Sequence, residues 1–167
     1  MPMTTRRATD ADAAEMAALL NEIIEIGGTT AYTEAVTAEY LLSRMAVETE
    51  QSSWTVAVAP DGRIMGFQSI EPHPDLPDDS ADIGSFVRVG ARGQGVGSAL
   101  FAASCENARA LGYAKLVAVI RADNASGLAY YSGRGFQDYD VLKDEALANG
   151  MIVDRICKRF DLSEKSS

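Results

Sequence analysis

The chain has 167 residues, 47% of them hydrophobic and 23% charged, the balance of a soluble globular protein long enough to bury one core. A formal charge of −9 and a pI near 4.6 exclude a nucleic-acid backbone as a general partner, because phosphates are held by clustered lysine and arginine. A single histidine, His73, and two cysteines without ligand spacing, Cys105 and Cys157, speak against a metal site and against a Ser-His-Asp triad.

No run of about 18 apolar residues occurs, and the amino terminus lacks the apolar segment of a signal peptide, so no membrane partner is expected and the expected location is the cytoplasm. Residues Thr4 to Ala8 predict a short first strand, with Thr9 or Asp10 capping the helix that follows. Met16, Leu19, Leu20, Ile23 and Ile24 recur at helical spacing until Gly27-Gly28. Thr29 to Thr33 is a polar connection, and Thr37 predicts the N-cap of a second helix carrying Leu41, Leu42 and Met45.

Trp54 to Ala59 and Ile64 to Ile70 alternate as strands around the turn Pro60-Asp61-Gly62-Arg63, a hairpin. The loop from Glu71 to Asp79 holds three of the five prolines and cannot extend a strand. Ala81 to Val89 predicts the next strand, and a helix runs from Gly95 to about Leu111, with Gly112 behind it. Lys115 to Ile120 has the continuous apolar character of a strand buried on both faces. Asn124 caps a short helix through Tyr130 and Tyr131, Gly135 stops it, and Phe136 to Leu142 and Met151 to Phe160 complete the strands. The order predicts one α/β domain over residues 1–162 with a strand-helix-strand crossover at its middle, and a frayed tail over residues 163–167.

The crossover carries the stretch Arg92-Gly93-Gln94-Gly95-Val96-Gly97-Ser98 at a strand-to-helix junction. Helix N-termini present unpaired amides and a partial positive charge, and glycines let an anion reach them, so this stretch predicts a pyrophosphate cradle. A Walker A loop would need a lysine, which residues 92–107 lack, and the dinucleotide fingerprint would need G-x-G-x-x-G on a first strand. The pattern matches R/Q-x-x-G-x-G/A instead, and Tyr131-Ser-Gly-Arg-Gly-Phe136 matches Y-x-x-x-G-F.

On these motifs the chain resembles the GNAT superfamily of acyl-CoA-dependent N-acetyltransferases, near the phosphinothricin and amino-acid acetyltransferase branch. The resemblance implies an α+β fold, a mixed and mostly antiparallel twisted sheet of about seven strands with about four helices, and acetyl-CoA as cofactor. By the same resemblance, backbone groups of Ser85, Phe86 and Val87 pair with the pantetheine arm. The segment Arg92, Gly93, Gln94, Gly95, Val96, Gly97, Ser98 holds the pyrophosphate, and Asn124 contacts the cofactor arm. Tyr131 protonates the leaving thiolate, with Tyr130 the alternative by spacing; a phenol of pKa about 10 is protonated at neutral pH and can donate. A backbone amide near Phe86 or Val87 would meet the oxyanion.

The acceptor amine must lose a proton. An α-amine of pKa about 8 asks little of a base, whereas a lysine amine at about 10.4 asks much. Asp82, His73 and Glu71 are the candidates, directly or through water, with Asp82 as the catalytic candidate and Glu71 and His73 in the acceptor loop. The branch carries a glutamate where this chain has Asp82, and its aromatic-rich acceptor loop is missing here. The expected reaction is acetylation of the primary amine of a small metabolite such as an amino acid. A protein N-terminus or lysine as acceptor, or a non-catalytic acyl-CoA-binding module, are the rival readings. The resemblance also makes a homodimer through the last strands an expectation.

Overall fold

The computed structural model describes residues 3–91 and 93–163, so Arg92 and residues 164–167 of the expected tail lie outside the described residues. Strand β1 (Thr4–Arg7) leads through a 3-10 turn (Asp10–Asp12) into helix α1 (Ala13–Ile26) and helix α2 (Ala38–Met45). Strands β2 (Ser53–Val58), β3 (Ile64–Glu71) and β4 (Ser80–Val87) follow, then helix α3 (Val96–Ala110) and strand β5 (Lys115–Arg121). Helix α4 (Ala125–Gly133) and strands β6 (Gln137–Ala146) and β7 (Ile152–Asp161) close the chain.

The first helix start differs from the expectation. Thr9 opens the 3-10 turn, not α1, and its amide donates to Asp12 Oδ2 at 2.7 Å. Arg6 donates to both oxygens of Asp12, at 2.7 and 2.9 Å, and holds that carboxyl well down, to about 2. This pair fastens β1 to the root of α1. Thr37 caps α2 as predicted, accepting from the Tyr40 amide at 3.0 Å. Asn21 of α1 both donates to and accepts from the backbone of Val36, at 2.9 and 2.8 Å, so the connection between the two helices is pinned to α1.

The seven strands lie in the order β1-β2-β3-β4-β5-β7-β6. Strand alternation sends Val56 and Phe67 to one face, under Met16, Leu19, Leu20 and Leu41 of the first two helices. Ala57 faces the other way, under Val96 and Leu100 of α3, and Met65 joins it because a register shift between β2 and β3 beside Ala57 interrupts the alternation there; Ile70, Leu116, Ala118 and Ile120 continue that face beneath α3 and α4. Each fully buried leucine contributes about 1.5–3 kcal/mol. Gly66 is required by this packing: a Cβ there would stand 2.9 Å from both the Phe86 carbonyl and Val96 Cγ1. Cys105 and Cys157 are free and buried.

Strands β4 and β5 are parallel and pair over three residues, Ser80 with Lys115, Ala81 with Leu116 and Asp82 with Val117. Beyond that point β4 stays with β3 as far as Val87, while β5 stays with β7 as far as Arg121. The sheet therefore opens between Ile83–Val87 and Ala118–Arg121. Strand β4 ends two residues before the expected Val89: the Arg88 amide still donates to Met65 O, but the chain then turns through Gly90 at φ +86, with the Ala91 amide donating to Arg88 O at 3.0 Å. Strand β6 runs four residues past the expected Leu142; Asp144 sits at φ 54 between two stretches of pairing with β7.

Candidate active site

The split in the sheet is the mouth of a cavity of about 910 Å³, within the range of small-molecule and cofactor sites. It runs from the start of α3, between β4 and β5, to a second end enclosed by the connection between α1 and α2.

The first end is built from backbone. Gly93 and Gly95 take φ +83 and +79, values a side chain would strain, and a Cβ on either would meet open space. Gly95 is the N-cap of α3, and the first helical bond runs from Ala99 N to Gly95 O, so the amides of Val96, Gly97 and Ser98 precede the ladder. Gly97 is crowded instead: a Cβ there would lie 2.7 Å from the Tyr130 ring. Tyr130 donates its phenol proton to Gly97 O at 2.7 Å, and the Arg134 guanidinium lies 5.1 Å from the Tyr130 ring centroid. Open amides, glycines without neighbours and an unpaired β4 edge together fit a long anionic thioester such as acetyl-CoA. Of the residues expected to hold it, Ser85, Phe86, Val87, Gly93, Gly95, Val96, Gly97, Ser98 and Asn124 line one continuous wall; Gln94 is exposed beside it.

Asn124 does cap α4. Its Oδ1 accepts from the Gly127 amide at 3.0 Å and its Nδ2 donates to Thr29 O at 3.0 Å. The side chain thus ties α4 to the α1–α2 connection while lining the cavity. Arg121 reinforces the tie by donating to Thr30 O at 3.1 Å.

Tyr131 is buried, and its hydroxyl lies 2.6 Å from Ser85 Oγ in the cavity wall. Burial pushes its phenol up from the ordinary value, with Ser85 working against the rise. Gln68, a residue overlooked in the sequence, is 1% exposed and joins the two tyrosines. Its Nε2 donates to Ser85 Oγ at 2.9 Å and to Tyr130 OH at 3.0 Å. The signal for it was there: a lone amide in the middle of the apolar strand Ile64 to Ile70.

The second end is built from side chains. Asp82 stands where the three parallel rungs stop, opposite Glu71 on β3. Burial pushes its carboxyl up to about 6, against the pull of His73, Arg155 and Arg44 and with the push of Glu71. Glu71 also lines the cavity, but its Oε2 is paired with Arg44 Nη2 at 2.6 Å. His73 lies on the exposed loop beyond β3, where its Nδ1 accepts from the Asp75 amide, and it is not part of the cavity wall. Arg44, Arg155 and Tyr32 complete this end; Arg155 Nε is buried with no hydrogen-bond partner among the described residues.

No helix among the described residues is long and apolar enough to cross a membrane, and no group of three or more His, Cys, Asp or Glu among them could hold a metal ion.

A sequence model of the acetyltransferase (GNAT) domain matches residues 3–137. The mycothiol acetyltransferase of Arthrobacter sp. (strain FB24) is 33% identical over 111 residues, which are 64% of this chain and 34% of that protein, so the chain spans about a third of that relative's length. Among solved structures, a candidate phosphinothricin N-acetyltransferase superposes with a TM-score of 0.86 at 28% identity over 97% of this chain and 99% of its own. The phosphinothricin acetyltransferase of Sinorhizobium meliloti, solved with acetyl-CoA, gives 0.85 at 21% identity over 100% and 94%. Matched by that family's model over most of its length and folded as its solved members are, the chain belongs to the acetyltransferase (GNAT) family.

Proposed function

We propose that this chain transfers the acetyl group of acetyl-CoA to the α-amine of a small amino acid, the amine facing Asp82 and the carboxylate facing Arg155. The observation that carries the reading is the presence of opposite charges at the second end of the cavity: Asp82 and Arg155 both line it, and Arg155 has a buried Nε without a hydrogen-bond partner among the described residues. Glu71 and Arg44 satisfy each other there, which leaves Asp82 and Arg155 for a zwitterion. Glu145 stands 3.9 Å from Arg155 Nη1, too far for a hydrogen bond.

Acetyl-CoA supplies an activated acyl group with a thiolate leaving group. In this reading the amides at the start of α3 hold its pyrophosphate and the free edge of β4 orients its arm. Asp82, more basic than an ordinary aspartate, takes the amine proton directly or through water. An amide near Phe86 or Val87 faces the developing oxyanion, and Tyr131 protonates the sulfur.

The test is thiol release from acetyl-CoA across free amino acids, the matching amines without a carboxylate, polyamines and peptides, in wild type and Arg155→Gln. Free amino acids should lead, and Arg155→Gln should raise their KM about tenfold while leaving carboxylate-free amines unmoved. Equal turnover of amino acids and their carboxylate-free counterparts would sink the reading, as would activity on peptides alone.

A further inference from the structure

Gln68 has no role in packing that an apolar residue would not fill better. It is fully enclosed on β3, and its Oε1 is buried without a partner among the described residues, an arrangement that costs stability. Turning the amide over would be worse, since both Nε2 hydrogens would then lose their acceptors. The amide is thus held as a double donor.

The protons in this cluster can be assigned one by one. Tyr130 accepts from Gln68 and gives its own proton to Gly97 O. Ser85 Oγ accepts from Gln68, and the acceptor left within its reach among the described residues is Tyr131 OH at 2.6 Å. If Tyr131 donated to Ser85 instead, the serine would accept twice and its own proton would be stranded in a buried site.

We propose that Gln68 is a positioning residue: by donating to Ser85 it turns the serine proton onto the Tyr131 oxygen, so that the Tyr131 phenol keeps its own proton for the departing sulfur. The proposal rests on the reading of Tyr131 as the proton donor. In that step the C–S bond breaks and its electron pair goes to sulfur, which takes the phenol proton and leaves as the free thiol. The phenolate left behind is held by the Ser85 hydroxyl. It regains a proton from water, matching the one the amine surrendered as the C–N bond formed. A buried phenolate without that donor would have only the low-polarity surroundings that disfavour it.

Gln68→Met, Ser85→Ala, their double variant, Ser85→Thr and Tyr131→Phe decide the matter by steady-state kinetics, coenzyme A calorimetry and Tm. Gln68→Met and Ser85→Ala should each lower kcat about tenfold while KM for acetyl-CoA and Kd for coenzyme A move less than about threefold. The double variant should fall no further than Ser85→Ala, because Gln68 acts through the serine, and Ser85→Thr should recover most of the loss. Losses that multiply in the double variant would overturn the relay, and so would a Gln68→Met defect confined to KM and Kd, which would assign the amide to the cradle through Tyr130. Ser85→Ala at wild-type kcat overturns it even if Gln68→Met fails to fold. Tyr131→Phe separates the two layers: unchanged turnover there refutes the proton donor itself, whereas a collapse beside silent Gln68→Met and Ser85→Ala refutes the relay alone.

Discussion

In the proposed function the two ends of the cavity solve the same problem, holding a charged ligand, with opposite materials. At the start of α3 the surface is main chain, opened by Gly93 and Gly95 and braced from below by the bond from Tyr130 to Gly97 O. At the far end it is side chain, with Tyr32, Arg44, Glu71, Asp82 and Arg155 arriving from five separate segments. A backbone cradle depends on its glycines rather than on any functional side chain, and recognises a ligand by shape and anion. A side-chain pocket can change its ligand one residue at a time. The difference explains how a family can keep one donor while its acceptors vary.

Tyr131 stands between the two ends, and its removal is expected to have the largest effect. Tyr131→Phe should lower kcat by about 10² or more with little change in acetyl-CoA affinity; equal losses in affinity would place the phenol in binding and blur the division. Gly97→Ala should break the donor end alone. The new Cβ would push against the Tyr130 ring, and KM for acetyl-CoA should rise about tenfold with the acceptor KM unmoved. A shift in both constants would mean that the ends are mechanically coupled through Tyr130.

Asp82→Asn acts on the acceptor end and should be the mildest at low pH. With a carboxyl pushed up to about 6, the base form fills as pH rises through that value, so the wild-type rate should climb through a limb near pH 6 that Asp82→Asn abolishes. Stability should move oppositely. A carboxyl whose folded value is raised stabilises the fold only while protonated, and that contribution is lost between the ordinary carboxylate value and about 6. Above that range Asp82→Asn should therefore raise stability, by about 1–2 kcal/mol in denaturant unfolding. A variant no more stable at pH 8 would show that the charge is already solvated.

The same contrast explains what could be read before the fold was known. The donor end lies within residues 93–131 and depends on glycine spacing and helix starts, which are local properties of a chain. Most boundaries of the strands and helices followed from the same local patterns. The acceptor end was legible only as the residues Asp82, Glu71 and His73, and the fold brings the first two together and leaves the third on an exposed loop. Arg155 and Arg44 carry no local mark, since their neighbours are set by sheet register and helix docking. The far part of β6 was missed for a related reason. Lys143-Asp144-Glu145 has no apolar alternation, and is held by pairing with β7 and by Asp154, which accepts from the Asp144 amide at 3.0 Å. Gln68 was legible as an oddity but not as a link, because both of its partners are distant in sequence, Tyr130 by 62 residues.

The three rungs between β4 and β5 are also a seam. On one side lies the meander β1 to β4, on the other the trio β5, β7 and β6, and α3 is the strap that crosses between them. A donor lodged along the open edge of β4 would fill the gap where further rungs are missing and join the two half-sheets. Coenzyme would then serve as mortar as well as reagent: the enzyme between turnovers would be the looser molecule, and its resistance to unfolding would follow the cell's supply of the compound it consumes.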